Sequence, residues 1–199
     1  MRAAVLIFLI FTCSCSSFSK LSKYEKRWAM AHPFAALKVK KLSKSIFEVY
    51  QQMKNSGQPD RYENGGKLDA FRHTFAMAVL STRLSSAKIR KLGEAHEKGN
   101  YLDFIKGRAE EGELPDSIGT LMDLKNNDVG ISIGKALRGK KVSLTEIRNE
   151  VLNSIAGGNA FYIKRSISGA YLDCYNRPID MDKFRSRWAI PKCLISTKE

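Results

Sequence analysis

Apolar residues recur at helical spacing through most of the chain, and this pattern predicts six helices. The second predicted helix has one apolar stripe flanked by lysines, which is typical of a helix at a protein surface. The third is apolar on nearly all sides, which predicts a position at the centre of a bundle. The predicted segments are residues 23–31, 34–53, 68–84, 86–98, 117–137 and a last helix ending near residue 157.

Residues with special backbone preferences set the predicted helix boundaries. His32 precedes Pro33 and should separate the first two helices, because a residue before proline avoids the α region. Gly99 is expected to end the fourth helix, and Ser143 with Glu146 forms a capping box that opens the sixth. The sequence therefore predicts an all-α fold, a single helical bundle of about six helices over residues 23–158.

The C-terminal residues 159–199 mix aromatic residues, glycines and charges, and they predict a less regular extension of the bundle. Two short apolar runs, at residues 161–163 and 170–172, are expected to pair as a small hairpin. The fold class therefore stays all-α with an irregular tail.

The N-terminus is typical of an export signal. One basic residue, Arg2, precedes nine apolar residues at positions 3–11, and small residues follow. As a helix, nine residues span about 14 Å, which is too short to cross a bilayer. Residues 1–15 are therefore interpreted as the signal and residues 16–22 as a tether.

A cysteine directly after the apolar run resembles the bacterial lipoprotein signal, in which this cysteine is lipidated. Cys15 is favoured over Cys13, because the small Ser14 precedes it and the bulkier Ile10 lies three residues before Cys13. Plain secretion is the alternative. Lipidation would supply a membrane anchor that a soluble domain lacks.

Cys174 and Cys193 are the only cysteines beyond this signal. In an oxidising compartment they are candidates for a disulfide, which would stabilise the fold by about 3 kcal/mol in the chain-entropy model. The alternative is a pair of buried thiols.

The third predicted helix contains a candidate acid-base or metal pair. Asp69 and His73 are four residues apart and therefore lie on one face, one turn apart. A carboxylate and an imidazole at this spacing can share a metal ion, or the carboxylate can orient the imidazole for proton transfer. The alternative is a structural pair, in which Asp69 complements the positive end of its helix.

Two further segments add polar residues to this candidate site. In the fourth helix His96 shares a face with Ile89 and should point inward, with Glu97 at the edge of that face. In the fifth helix adjacent asparagines break helix propensity, as residues at functional sites often do. One stripe of that helix combines polar groups with glycines and predicts close approach by another group; it consists of Asp123, Asn127, Gly130 and Gly134.

The three blocks Asp-Ala-Phe-Arg-His, Ala-His-Glu and Met-Asp-Leu-x-Asn-Asn, in this order, resemble a family of bacterial helical domains of uncharacterised function. The resemblance runs from about Trp28 to Gly134. It implies an all-helical domain of exported or cell-envelope proteins. Lys125 departs from the pattern, since family members often have His or Tyr there, and Thr74-Phe75 replaces a more aromatic pair. The shared polar set is Asp69, Arg72, His73, His96, Glu97, Asp123, Asn126 and Asn127.

These residues support three interpretations. His73, His96 and Asp123 could hold Zn²⁺ or Mn²⁺ with an open water position, with Asp69 as a further candidate ligand and Glu97 as general base. Arg72, Asn126 and Asn127 would then bind substrate or stabilise developing negative charge. The other two interpretations are a metal-free Asp-His acid-base site and a structural polar network.

Charge suggests an anionic partner. The chain has 34 Lys and Arg residues against 20 Asp and Glu residues, a net charge of +14, yet residues 94–128 carry −5 and the rest +19. An acidic region within a basic shell fits a cation site on a protein that lies against anionic lipid or glycan. Nucleic acid is not expected, because an export signal is present and a nucleic-acid-binding motif is absent from the sequence.

The sequence therefore predicts an exported, lipid-anchored envelope protein with a buried Asp/His/Asn site. The predicted activity is metal-assisted hydrolysis of phospholipid, peptidoglycan or peptide. The alternative is a non-catalytic envelope or interaction lipoprotein whose polar blocks lock the helices together. A toxin-like effector would share the enzyme's chemistry.

Overall fold

A computed structural model describes residues 18–19, 21–109 and 113–199. Within these residues six α-helices and one two-stranded sheet are present, so the all-α prediction is confirmed. The helices are α1 (Lys23–Ala31), α2 (Pro33–Ser56), α3 (Lys67–Arg83), α4 (Ser86–Ile105), α5 (Ser117–Leu137) and α6 (Leu144–Ala156). The export signal and both of its cysteines, Cys13 and Cys15, lie outside the described residues.

Helix α3 occupies the centre of the bundle, as its apolar surface predicts. It packs against α2, α4, α5 and α6, and also against residues 161–163 of the C-terminal extension. Phe71 and Phe75 are fully buried and stack with ring centroids 5.3 Å apart. A helix surrounded in this way fixes any polar side chain on it against a neighbouring element.

Two glycines of α5 allow it to approach α3 closely. A methyl group at Gly130 would overlap the backbone carbonyl of Thr74, and one at Gly134 would overlap that of Ala78. The two positions are four residues apart, so both lie on the face of α5 that contacts α3. The stripe predicted from the sequence is thus approached by the backbone of α3, which sets the register between the two helices.

Helix α4 is longer than predicted and ends at Ile105. The prediction that Gly99 ends this helix was wrong, because Gly99 has a packing role inside it. A methyl group at Gly99 would lie 2.8 Å from Cβ of Ser22. Ser22 caps α1 and forms a capping box with Glu25, so Gly99 makes room for the start of α1.

The C-terminal sheet pairs different segments from those expected. Strand β1 (Phe161–Ile163) is antiparallel to β2 (Leu194–Ser196), with Tyr162 opposite Ile195. The predicted hairpin between residues 161–163 and 170–172 was therefore wrong. Tyr171 instead forms an isolated bridge with Arg165, and Leu172 forms one with Pro178. The local sequence pattern does not distinguish such bridges from a hairpin.

The C-terminal extension shares a core with the helical bundle. Ile163 and Tyr171 pack with Met122 of α5 in one buried cluster. Asn126 is fully buried, and its carboxamide bonds both backbone groups of Phe161: Nδ2 donates to the carbonyl and Oδ1 accepts from N–H, each at 2.9 Å. Strand β1 is therefore hydrogen-bonded directly to α5.

A disulfide between Cys174 and Cys193 closes the extension. It connects the loop after the Leu172 bridge to the residue directly before β2. The disulfide thereby closes the later part of the path between the two strands, residues 174–193.

Among the described residues, no helix is both long enough and apolar enough to span a bilayer.

Candidate functional site

Helices α3 and α5 bring three predicted site residues together. Nε2 of His73 lies 3.3 Å from Oδ1 of Asp123 and 3.5 Å from Oδ1 of Asp69. All three residues are buried, and their candidate ligand atoms lie within 4.8 Å of one another. The i, i+4 spacing on α3 and the close contact with α5 produce this convergence.

Asn127 orients the imidazole. Its Oδ1 lies 3.3 Å from Nδ1 of His73, and a carboxamide oxygen only accepts hydrogen bonds. The proton of a neutral His73 is therefore placed on Nδ1, and the lone pair of Nε2 points toward the two carboxylates. An imidazole oriented through its other nitrogen is the usual arrangement at metal ligands.

The surroundings keep His73 neutral. Burial lowers the pKa of His73 well below its ordinary value, and the positive charges of Arg72 and His96 lower it further. The hydrogen bond with Asn127 acts in the opposite direction and is the weaker effect. At neutral pH, the site therefore contains one uncharged imidazole between two carboxyl groups.

Arg72 and the backbone of Gly65 both contact Asp69. Arg72 contacts its Oδ1 at 2.7 Å through Nη2 and at 3.1 Å through Nε. The backbone N–H of Gly65 donates to its Oδ2 at 2.7 Å. Nη2 of Arg72 also lies 3.5 Å from Nε2 of His73, so a guanidinium stands beside the convergence point.

A small pocket opens beside this cluster. It has a volume of about 30 Å³, and its lining includes Asp69, Arg72 and Asp123. Such a volume holds about two water molecules. We refer to Asp69, Arg72, His73 and Asp123 as the α3/α5 wall.

The pocket is also lined by Glu113 and Asp116, together with Asn64. Asp116 caps α5, accepting from the N–H groups of Ile118 and Gly119. Glu113 accepts from the Tyr171 hydroxyl at 2.7 Å. Burial and the negative charge of Glu113 raise the pKa of Tyr171, so its hydroxyl remains a donor.

Lys192 contacts the carboxylates of both Glu113 and Asp116. Its Nζ lies 2.7 Å from Oδ2 of Asp116 and 3.8 Å from Oε2 of Glu113, and its side chain is 2% exposed. Arg165 contacts Oε1 of Glu113 at 3.9 Å. We refer to Glu113, Asp116, Lys192 and Arg165 as the Lys192 wall.

His96 and Glu97 exchange their predicted places. The side chain of His96 is 42% exposed and its Nδ1 donates to Glu25 at 3.2 Å, whereas Glu97 is buried. The prediction that His96 points inward as a metal ligand was therefore wrong; the cluster among the described residues consists of Asp69, His73 and Asp123. Glu97 accepts from Asn100, which lines the pocket, while Glu97 itself lies behind it.

The two adjacent asparagines have different roles. Asn127 contacts His73, whereas Asn126 faces the other way and bonds to Phe161. Because neighbouring helical residues point about 100° apart, only one of the pair can face α3 at the site. The predicted substrate contact of Asn126 is not formed, since its carboxamide is used to hold β1.

Several residues at or beside the pocket were not predicted from the sequence. Gly65 and Asn64 lie in the loop before α3, where an Asn-Gly pair is a turn signal that could have drawn attention. Lys192 and Tyr171 carry no local signal, because they reach the pocket only through the tertiary fold.

The chain matches the model of a known protein family. The family model described as a domain of unknown function, DUF6973, matches residues 26–159, about two thirds of the chain. The chain belongs to the DUF6973 family. The DUF6973 segment contains the α3/α5 wall, Glu113 and Asp116, whereas Lys192 and Arg165 come from the C-terminal extension. No curated protein and no solved structure matches the chain.

Proposed function

We propose that the chain is an exported, lipid-anchored protein of the bacterial envelope whose DUF6973 domain binds a divalent cation, Zn²⁺ or Mn²⁺, and hydrolyses an envelope substrate. Asp69, His73 and Asp123 would be the ligands. The observation that carries the proposal is the convergence of their ligand atoms within 4.8 Å at the edge of a pocket.

Electrostatics favours a cation at this point. The lone pair of Nε2 on His73 and two carboxylate oxygens face one another at 3.3 and 3.5 Å, and such groups repel unless a proton or a metal ion lies between them. One imidazole and two carboxylates form a ligand set that suits Zn²⁺ or Mn²⁺ and leaves a position for water.

The residues around the proposed metal ion would have separate roles in hydrolysis. A metal ion lowers the pKa of bound water and so supplies a nucleophile at neutral pH. Asn127 keeps Nε2 of His73 free of its proton, and Gly65 fixes the rotation of Asp69. Arg72 borders the pocket and would stabilise negative charge that develops on the substrate.

Pocket size restricts how a substrate would enter. About 30 Å³ accommodates a carbonyl or phosphoryl group, while the rest of the molecule would remain outside. This favours a large substrate attacked at one projecting bond, such as a phospholipid, peptidoglycan or peptide.

A non-catalytic polar network is the alternative, and one observation favours it. The guanidinium of Arg72 already contacts Asp69 and lies 3.5 Å from His73, so it supplies positive charge without a metal. In this case the cluster would serve only to hold α3 against the loop before it and against α5.

Metal analysis of matched histidine variants separates the two functions. We expect the purified protein to bind about one equivalent of Zn²⁺ or Mn²⁺ by elemental analysis after metal loading and desalting. His73→Asn should lose the metal, whereas His96→Asn should retain it, because His96 lies outside the cluster. Equal metal content in both variants, or none in the wild type, would favour the network.

Export and lipidation have their own test. Labelled fatty acid should be incorporated into the wild-type chain expressed in bacteria and lost in Cys15→Ser. Label that persists in Cys15→Ser and disappears in Cys13→Ser would move the site to Cys13, and no label in the wild type would contradict the anchor.

A further inference from the structure

The corner between α1 and α2 exposes large apolar side chains. Phe34 is 82% exposed, Met30 67% and Leu37 59%. The same helices also supply buried Trp28 and Ala35 to the core. The exposed residues are therefore additional to the apolar residues that the bundle itself uses.

The side of α2 that exposes Phe34 and Leu37 is strongly basic. Phe34, Leu37, Lys41 and Lys44 recur every three or four residues and lie along one side of the helix. Lys38 and Lys40 are also exposed beside this line. The only acidic residue of α2 is Glu48, which lies 4.0 Å from Lys44. We refer to Met30, Phe34, Leu37, Lys38, Lys40, Lys41 and Lys44 as the α1–α2 face.

From this combination, we infer that the α1–α2 face lies on the surface of an anionic phospholipid bilayer. Apolar side chains gain about 1.5–3 kcal/mol each when fully buried away from water. Each lysine near an anionic membrane surface contributes about 1 kcal/mol, and its alkyl stem extends along apolar surface while the ammonium stays in water. An anionic glycan would match the lysines but offers no apolar interior for Phe34 and Leu37.

The length of the predicted N-terminal tether allows the α1–α2 face to reach the bilayer surface. The tether predicted at residues 16–22 spans at most about 25 Å by contour length, so a lipid on Cys15 would keep α1 within that distance of the bilayer. The inference therefore extends the envelope location proposed above, but it does not depend on metal binding or hydrolysis.

Vesicle binding tests the face directly. The full chain would carry Cys13→Ser and Cys15→Ser, so that lipidation is absent from every sample. We expect tighter sedimentation with vesicles of phosphatidylglycerol and phosphatidylcholine than with phosphatidylcholine alone. Adding Phe34→Ser and Leu37→Ser should lower the partition coefficient at least about tenfold, since two apolar contacts are lost.

Charge is tested by a second set of variants. Changing Lys38, Lys41 and Lys44 to Gln should lower partition onto the anionic vesicles by about tenfold or more, with little effect on neutral vesicles. Binding of the unsubstituted face should also weaken as salt is raised.

Matched controls use equally exposed residues elsewhere. Ile167 and Tyr175 are fully and 80% exposed, and Ile167→Ser with Tyr175→Ser should leave vesicle binding unchanged. The same is expected of Gln at the exposed Lys106, Lys140 and Lys141. Equal losses in the control and test variants would overturn the inference.

Two other outcomes would also overturn it. One is a concentration-dependent dimer that Phe34→Ser and Leu37→Ser abolish while vesicle binding is unchanged, which would make the face a contact between two copies. The other is binding to an anionic glycan that depends on the lysines and is indifferent to the apolar residues. Fatty-acid labelling and metal content are measured separately, so failure here is distinguishable from failure of the proposed function.

Discussion

The two walls compensate the charges of their carboxyl groups differently. In the Lys192 wall two carboxylates, Glu113 and Asp116, are matched by two cations, Lys192 and Arg165. In the α3/α5 wall two carboxylates accompany one guanidinium and an imidazole that burial keeps neutral. In the first wall both carboxylates contact a cation of the chain, whereas the second wall has one guanidinium and a neutral imidazole for its two carboxyl groups.

This difference predicts that the two walls have separate roles, one in stability and the other in the proposed metal binding. A balanced buried network holds elements together, and removing one member leaves an uncompensated charge. A wall with two carboxyl groups, one guanidinium and a converging imidazole lone pair is the arrangement that we propose binds a metal ion. Substitutions in the Lys192 wall should therefore act mainly on stability, and substitutions in the α3/α5 wall mainly on metal affinity.

Lys192→Met should have the largest effect on stability. It leaves Asp116 buried without its cation, and breaking a buried ion pair in this way costs about 3–5 kcal/mol. Urea denaturation measures the loss. Lys183→Met is the control, because its pair with Asp180 is exposed and contributes less than about 1 kcal/mol. A loss equal to that of the control would show that the Lys192 wall is not structural.

Removing the disulfide should have the next largest effect. Changing both Cys174 and Cys193 to Ser should lower the free energy of unfolding by about 3 kcal/mol, since a cross-link between residues 19 positions apart is lost from the unfolded chain. Metal affinity at the α3/α5 wall should stay within about twofold. A parallel loss of metal affinity would contradict the separation of roles between the walls.

Asp123→Asn should show the opposite pattern. We expect metal affinity to fall more than tenfold, about 1.4 kcal/mol or more, because a ligand charge is removed. The metal-free protein should remain as stable as the wild type, since one of two neighbouring carboxylates is neutralised. Titration calorimetry and denaturation give the two readouts, and Asp128→Asn on the exposed side of α5 is the control. Unchanged affinity in Asp123→Asn would remove it from the ligand set.

The smallest effect is expected at Glu25, whose contact with His96 lies outside both walls. Burial alone would raise the pKa of Glu25, but hydrogen bonds from His96 and Ser22 outweigh it and lower the pKa below 4.5. The charged form therefore stabilises the fold above pH 4.5, and this contribution disappears as the pH falls through the lowered pKa.

Glu25→Gln isolates this contribution, because glutamine retains capping ability at the start of a helix. At pH 7 the substitution should cost less than about 1 kcal/mol, and the difference from wild type should vanish under acidic conditions. Denaturation midpoints measured from pH 7 to pH 3 give the comparison. If the stability difference between Glu25→Gln and wild type grew on acidification, the pKa of Glu25 would be raised in the folded protein and not lowered.

Much of the helical framework follows from local pattern. The apolar surface of α3 predicts its central position, and the i, i+4 spacing of Asp69 and His73 predicts one half of the site. The polar and glycine stripe of α5 predicts the other half, because small residues and Asp123 share the face that α3 approaches. These features depend on helical periodicity alone.

The errors occur where contacts between distant segments decide the structure. Gly99 was predicted to end α4, but it lies inside the helix because Ser22 packs closely against it. Small rotations about α4 decide which of His96 and Glu97 is buried, and the sequence pattern does not resolve them. The partner of β1 lies more than 30 residues away, and Lys192 reaches Asp116 across 76 positions. Such pairings depend on the path of the whole chain.

The hydrogen bonds between Asn126 and Phe161 have a practical consequence. The DUF6973 match ends at residue 159, two positions before the peptide group that this asparagine requires. A fragment trimmed to the match would keep a buried carboxamide and lose its partners, at a cost of about 1–3 kcal/mol. Such a fragment would also uncover Met122. Recombinant versions of this chain should therefore take their boundaries from the folded sheet and retain the C-terminal strand pair.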